Sequence, residues 1–104
     1  MQVQVNTDSN IEGSAELTAQ AEAIVNRILD RFSNQITRVE LHLRDESSAS
    51  RDTSNDKRCL LEVRVSGKQP QSVTDNADTV EQAITGAARK MVSALESSLG
   101  KQGR

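Results

Sequence analysis

Apolar and polar residues alternate along three stretches of this chain, and a period of two is typical of half-buried β-strands. The first stretch is Gln2–Asn6, the second is Ile36–Arg44, and the third begins near Cys59. In the second stretch the alternation puts Thr37 and Val39 on the face that is predicted to meet the core. The charged residues of the same stretch then share the opposite face, which predicts a sheet with one covered and one open side.

Two longer stretches have apolar residues three and four positions apart, which is the spacing of an amphipathic helix. The first helix is predicted over 14–34, with Ser14 as its N-cap. The second is predicted over 78–99, with Asp78 as the N-cap of a capping box. Between the third strand and this helix, a short fourth strand is predicted over 71–74. It follows a proline, which suits the edge of a sheet.

The predicted element order is β-α-β-β-β-α, and the fold class is α+β. The simplest packing is a four-stranded mixed sheet with both helices on one face. The first two strands are expected to be parallel across the helical crossover, and the remaining pairs antiparallel. The predicted buried residues are Leu17, Ile24, Ile28, Phe32, Val39, Leu41, Leu61, Val63, Ile84, Met91 and Leu95.

The length of 104 residues predicts a single domain over 1–104. Residues 45–57 are rich in Ser and Asp and have no apolar period, so they are predicted to form a flexible hairpin loop. Residues 100–104 are predicted to be a disordered tail. No apolar run reaches the length of a membrane span, and the first residues lack a signal-peptide pattern. We therefore expect a cytoplasmic protein with no membrane partner.

Side chains suited to catalysis or metal binding are scarce in this sequence. The single histidine, His42, lies on the polar face of the second strand, where a solvated side chain is expected. The single cysteine, Cys59, has no partner for an internal disulfide and is expected to be a small buried hydrophobe. There is no cluster of Cys and His for zinc and no glycine-rich phosphate loop. We therefore expect no enzyme activity, no cofactor or metal, and no small-molecule substrate.

The charges provide the candidate binding residues. The net charge is −2, from 13 basic and 15 acidic residues, so RNA binding depends on local clusters of cations. Arg27 and Arg31 lie one turn apart on the first helix, and Lys90 and Lys101 lie on one flank of the second. Arg89 lies on the opposite side of that helix. The polar face of the sheet interleaves arginines with glutamates, which predicts cross-strand pairs of opposite charge.

Several segments of the chain resemble the short ribosome hibernation-promoting factor and ribosome-associated inhibitor family, to which sigma-54 modulation proteins also belong. Met1–Val5 and Ile11–Leu17 are similar to the opening strand and the capped helix start of the family. Arg31–Ile36 is similar to its aromatic helix end, which leads into the second strand. Gln82–Ile84 and Lys90–Met91 are similar to its last helix. The agreement in order, spacing and length covers nearly all of the chain.

The resemblance implies a β-α-β-β-β-α domain that binds the small ribosomal subunit and its ribosomal RNA. There the family occupies the channel used by messenger and transfer RNA, and so inhibits translation in stationary phase or stress. Arg27 and Lys90 fall on basic positions of the family. Together with Arg31 and Lys101, they are the predicted rRNA-binding residues.

Ser93 and Ser97 stand where the family usually has Arg or Lys. Fewer cations mean fewer released counterions, so binding is expected to be weaker and less sensitive to salt. The reduced basic surface supports a second interpretation. In it, a diverged family member acts as a protein-interaction module, or as a homodimer through the edge strand near 71–74, without binding the ribosome.

Overall fold

A computed structural model describes residues 1–8, 11, 13–46 and 56–100 of the chain. The predicted order of elements and the α+β class are confirmed. The elements are β1 (Gln2–Thr7), α1 (Ala15–Leu29), a short 3₁₀ helix (Asp30–Phe32), β2 (Ile36–Asp45), β3 (Lys57–Val65), β4 (Gln71–Ala77) and α2 (Val80–Gly100).

The sheet has the strand order β1-β2-β3-β4, so β1 and β4 are its edges. β1 is parallel to β2, whereas β2–β3 and β3–β4 are antiparallel, as predicted. The edge strand β4 continues to Ala77 instead of ending at Thr74, because β3 begins at Lys57 and offers a partner for each added residue. A tight turn joins β3 to β4, and Gly67 adopts the left-handed φ of 74° that this turn requires.

One face of β2 and β3 is covered, and the other is open. Leu41 and Val63 are fully buried, which confirms the predicted register. Thr37, however, is exposed, and the prediction that it shares the core face with Val39 is wrong. The pairing with β3 shifts between Ile36 and Arg38, which makes Thr37 the extra residue of a bulge. The bulge allows Ile36 to face the core instead.

The two helices begin with different caps. Ser14 accepts a hydrogen bond from the backbone N–H of Leu17 at 3.0 Å, which confirms its role as N-cap. For α2 the predicted N-cap, Asp78, is wrong by one residue. The hydroxyl of Thr79 accepts from the N–H of Gln82 at 3.1 Å, because the β4 pairing to Ala77 delays the start of the helix.

Both helices pack on the covered face of the sheet, and the core between them is aliphatic with one aromatic residue. The α-helical part of the first helix ends at Leu29, and the predicted continuation is a single 3₁₀ turn that buries Phe32. Leu29 is fully buried, whereas Leu17 and Ile28 are only partly buried. The other predicted core residues are buried: Ile24, Phe32, Val39, Leu41, Leu61, Val63, Ile84, Met91 and Leu95.

The predicted loop over 45–57 is shorter at both ends than its composition indicated. Asp45 pairs with Lys57 in the β2–β3 ladder, and the N–H of Glu46 donates to the carbonyl of Asp56 at 2.7 Å. Residues 47–55, on which the rest of that prediction falls, lie outside the described residues. The same is true of residues 101–104 of the predicted tail, which include Lys101, whereas Gly100 belongs to α2.

Candidate nucleic-acid interface

The row of cations predicted on the first helix spans two elements. Arg27 is in the last turn of α1 and is exposed, whereas Arg31 is in the 3₁₀ turn. The Arg31 guanidinium forms an ion pair with the carboxylate of Glu96 on α2. Its Cζ atom also lies 4.8 Å from the centre of the Phe32 ring, within the range of a cation–π contact. Arg31 therefore links the two helices as well as facing solvent.

Lys90 holds α2 to the edge of the sheet. Its ammonium group lies 2.9 Å from Oδ1 of Asp75 and donates to the carbonyl of Thr74 at 2.8 Å. Gly86, one turn earlier on α2, permits this approach, because a Cβ there would lie 1.8 Å from Oδ2 of Asp75. The positive charge of Lys90 is thus already compensated by a carboxylate of the same molecule.

Among the described residues, Lys90 does not lie on the same side of α2 as the cations of the first helix. Lys90 reaches toward β4, whereas Glu96, six residues later on α2, meets Arg31 from the first helix. Six residues correspond to about 240° around a helix, which leaves Lys90 about a third of a turn away from Glu96. The structure therefore brings Arg27 and Arg31 to the α1 side of α2 and leaves Lys90 on the β4 side.

Sequence reasoning missed Arg89 as a candidate. It is exposed, and within the described part of the chain it has no ion-pair partner. It lies seven residues before Glu96, which is two helical turns, so both side chains emerge from the same side of α2. Because Glu96 contacts Arg31, Arg89 lies on the side of α2 that is near Arg27 and Arg31. The sequence shows the seven-residue spacing of Arg89 and Glu96. It does not show the contact between Glu96 and Arg31 that identifies this side of α2.

The open face of the sheet does not carry the predicted cross-strand pairs of opposite charge. The register places Arg38 opposite Arg64 and Glu40 opposite Glu62. Farther along the same strands, Arg44 lies opposite Arg58. The prediction of opposite charges facing each other is therefore wrong, because the register that follows the bulge puts like charges opposite each other.

Where opposite charges meet on this face, they do so along a strand or near its end. Nε of Arg38 lies 3.7 Å from Glu40, two residues later on β2. Arg38 also donates to the side-chain oxygen of Gln4 on β1. At the other end of the face, Arg58 lies 3.6 Å from Glu46. These groups are partly exposed, so each pair stabilises the fold by well under about 1 kcal/mol.

The two residues with chemically versatile side chains have different surroundings. His42 is half-buried on the open face, as expected. Cys59 is fully buried on the covered face, as expected, and its burial, together with the negative charge of Asp75, raises the pKa of the thiol to about 12. A thiol that stays protonated at neutral pH is a poor nucleophile and a poor metal ligand.

The described parts of the chain offer neither a metal-binding cluster nor a membrane-spanning helix. Over these residues, no group of three or more His, Cys, Asp or Glu side chains is arranged to hold a metal ion. Within the same ranges, neither helix is long and apolar enough to cross a membrane.

Comparison with known proteins yields matches in structure but not in sequence. No protein-family model matches the chain, and no curated protein sequence matches it. A solved structure of a ribosomal subunit interface protein from Coxiella burnetii superposes with a TM-score of 0.76 at 14% identity, covering 96% of this chain and 99% of that chain. The N-terminal domain of Protein Y from Thermus thermophilus superposes with a TM-score of 0.71 at 16% identity, covering 92% and 97% respectively. The resemblance stated from the sequence is therefore confirmed at the level of the fold.

Proposed function

We propose that this protein is a ribosome-associated translation inhibitor of the cytoplasm. It binds the small ribosomal subunit in stationary phase or stress, and inhibits by occupying the channel for messenger and transfer RNA, with no chemical step. The observation that carries the proposal is the fold, which is shared over nearly the whole chain with a protein described as a ribosomal subunit interface protein.

The proposed contacts to ribosomal RNA are cations whose positive charge remains accessible to a phosphate. Arg27 and Arg89 are exposed and have no ion-pair partner among the described residues. Arg31 is shared with Glu96 but remains 58% exposed, so a phosphate can compete for its guanidinium. Lys101, the fourth residue of the original set, remains a proposed contact beyond the described helix. We assign Lys90 mainly to holding β4, because its charge is already paired with Asp75.

Such an interface is expected to be weakly basic. Within it, Ser93 stands one turn from Arg89 and contributes no charge. Each phosphate contact that is present releases roughly one counterion, so a few arginines give a shallow dependence of affinity on salt. The proposal thus predicts binding that is detectable at low salt and declines only gradually as salt is added.

The experiment is co-sedimentation with purified small subunits at low and moderate salt. Wild type is compared with the double variant Arg27→Gln/Arg89→Gln, which removes two exposed cations from the helix side. The matched control is Arg38→Gln/Arg64→Gln, which removes the same charge from the open sheet face. The expected result is that wild type and the control pellet together with the subunits while the helix variant stays in solution.

Two results would contradict the proposal at different levels. If wild type does not pellet at low salt, the ribosome is not the partner. If the helix variant and the control pellet equally well with wild type, the ribosome is the partner, but the contacts assigned here are wrong. Thermal unfolding of each variant checks that the fold is intact.

One observation supports the second interpretation, which is association through the edge strand. β4 is seven residues long, nearly twice the predicted length, and its outer side faces no other strand of the sheet. Against it, one carbonyl of the strand, that of Thr74, already accepts from Lys90. A lysine at an edge discourages the addition of a further strand. Sedimentation equilibrium decides between the two: a stable dimer that does not pellet with small subunits supports edge pairing.

A further inference from the structure

The open face of the sheet contains a depression at one end. It has a volume of about 350 Å³, which is at the lower end of the range for small-molecule sites. Its residues come from the three neighbouring strands β1, β2 and β3 and the residue after β1, and they include Asn6, Asp8, His42, Arg44, Arg58 and Leu60. None of these residues belongs to the helix surface to which ribosome binding is assigned.

The two arginines of the depression face each other across β2 and β3. Arg44 and Arg58 are partners in the antiparallel register, so their Cβ atoms are about 5 Å apart. Like charges in this position destabilise a sheet. Arg44 is exposed and has no ion-pair partner among the described residues. Arg58 has only Glu46, at 3.6 Å and with both side chains about 40% exposed.

The other end of the same face provides an internal comparison. There Arg38 also lies opposite Arg64, but the next residues on the face are Glu40 and Glu62. Arg38 contacts Glu40 at 3.7 Å, as Arg58 contacts Glu46 at 3.6 Å. Arg64 has no ion-pair partner among the described residues, as is also true of Arg44. Beside Arg44 and Arg58 the corresponding positions are taken by His42 and Leu60, which supply no negative charge. The two ends therefore have the same pattern of ion pairs, and they differ in that Arg44 and Arg58 line the depression, beside an imidazole and an aliphatic side chain.

The carboxylates near the depression have other contacts. Asp8 accepts a hydrogen bond from the N–H of Asp45 at 3.3 Å. Glu46 accepts from the side-chain amide of Asn76 at 3.1 Å, besides its pairing with Arg58. Neither lies within ion-pair distance of Arg44. The Arg44 guanidinium thus remains available to a ligand that enters the depression.

We propose that this depression binds a nucleotide phosphate, either of a free nucleotide or within RNA. Arg44 and Arg58 supply a fork of N–H donors on each side of the phosphate, which is the geometry that guanidinium groups provide. Leu60 forms an apolar surface beside them, against which a ribose or a base can lie. His42 adds a ring N–H group that can donate to the sugar or base. Asn6 already donates from Nδ2 to the carbonyl of Leu41 at 3.3 Å and has a second amide hydrogen to offer.

Binding is tested without ribosomes, so its outcome is separate from that of the proposed function. A fluorescein-labelled RNA octamer is titrated with the protein and followed by anisotropy, and uridine and adenosine monophosphates and inorganic phosphate are added as competitors. The variants are Arg44→Gln and Arg58→Gln, with Arg64→Gln as the control that removes an equal charge from the opposite end of the face, outside the depression. We expect each depression variant to weaken binding about tenfold, as for loss of a charged hydrogen bond, and the control to change it less than twofold.

The competitors distinguish the source of the phosphate. Displacement of the RNA by millimolar mononucleotide, but not by equal inorganic phosphate, indicates a site for one nucleotide. Binding of RNA that neither competitor displaces indicates a site for the RNA chain, provided that Arg44→Gln still weakens it. The proposal is overturned if no probe binds wild type, or if Arg64→Gln weakens binding as much as Arg44→Gln.

The melting temperature of each variant shows whether that variant is folded. Because Arg44 and Arg58 repel each other in the free protein, Arg44→Gln is expected to leave the melting temperature unchanged or to raise it slightly. Bound nucleotide should raise the melting temperature of wild type but not of Arg44→Gln. A variant that melts well below wild type would mean that Arg44 stabilises the fold, and would contradict the account of the pair as a ligand site.

Discussion

The helix layer and the open sheet face use their charges in opposite ways. In the helix layer, charged side chains connect elements: Arg31 joins the first helix to Glu96 on α2, and Lys90 joins α2 to Asp75 on β4. On the open face, the register sets arginine against arginine and glutamate against glutamate. The difference shows that a cation counted from sequence is not necessarily a cation available to a partner.

The two sides of β3 differ most in what they contribute to stability. Leu61 is fully buried between the sheet and the helices, whereas its neighbour Leu60 lies on the open face. Leu61→Ala is expected to destabilise the protein by about 2–5 kcal/mol, because it leaves a cavity in a close-packed core. Leu60→Ala should cost less than about 1 kcal/mol. Urea unfolding of the two variants measures both values, and similar losses would mean that the faces are not distinct.

Gly86 tests how closely the helix layer approaches β4. A Cβ at this position would lie 1.8 Å from Oδ2 of Asp75, so Gly86→Ala must displace the carboxylate from Lys90. The clash should outweigh the helix propensity gained, about 1 kcal/mol, and leave a net loss of about 1 kcal/mol. In an Asp75→Ala background the same change should instead stabilise. A double-mutant cycle by urea unfolding checks this, and stabilisation in both backgrounds would contradict the close approach.

Lys90 and Arg27 can be compared as a cation that is in an ion pair and a cation that has none among the described residues. Lys90→Ala removes an ion pair and a hydrogen bond to the Thr74 carbonyl, and is expected to destabilise by about 1 kcal/mol. Arg27→Ala removes an exposed side chain with no ion pair among the described residues, and should change stability by less than about 0.5 kcal/mol. The same unfolding measurement serves for both. Equal effects would remove the distinction on which the assignment of Lys90 rests.

At neutral pH the smallest effect is expected at Cys59. Its thiol pKa of about 12 in the folded protein exceeds the ordinary value of 9.0, so the thiol is protonated in both states at pH 7 and contributes no pH dependence there. Between pH 9 and pH 12 only the unfolded chain loses this proton, and stability should therefore fall as the pH rises. The Cys59→Ala variant should lack that component of the decline.

A thiol-specific reagent offers a simpler check on the same residue. Native protein should react slowly at pH 8 and completely in denaturant, because Cys59 is fully buried. Rapid reaction of the native protein would show that the covered face of the sheet opens readily.

Most of the fold could be predicted from the sequence, because it depends on periodicity. The alternation over β2 and the spacing of the apolar residues on α2 indicated both the elements and the faces that they bury. Errors arose where one residue breaks a period: Thr37 forms a bulge, and Thr79 takes the capping role assigned to Asp78. Alternation alone does not reveal an inserted residue, and two neighbouring polar residues are equally plausible caps.

The candidate sites were less predictable than the fold. The sequence identifies which residues are cations, but whether each is free depends on long-range contacts, such as that of Lys90 with Asp75, 15 positions earlier. Arg89 was not a candidate because it lies on the side of α2 opposite to the row of Lys90 and Lys101, and no pattern within α2 shows which side meets the first helix. The opposition of Arg44 and Arg58 follows from the register of a hairpin, and that register was not fixed by the composition of the loop.

The most direct test of the central claim, that free rather than engaged cations contact ribosomal RNA, is the salt dependence of small-subunit binding. Affinity is measured from about 50 to 200 mM salt for wild type, Arg27→Gln and Lys90→Gln. Arg27→Gln is expected to reduce the slope of log affinity against log salt by about one, because one phosphate contact is lost. Lys90→Gln should leave that slope unchanged, since Asp75 already neutralises its charge. A slope reduced equally by both variants, or reduced by Lys90→Gln alone, would contradict the account.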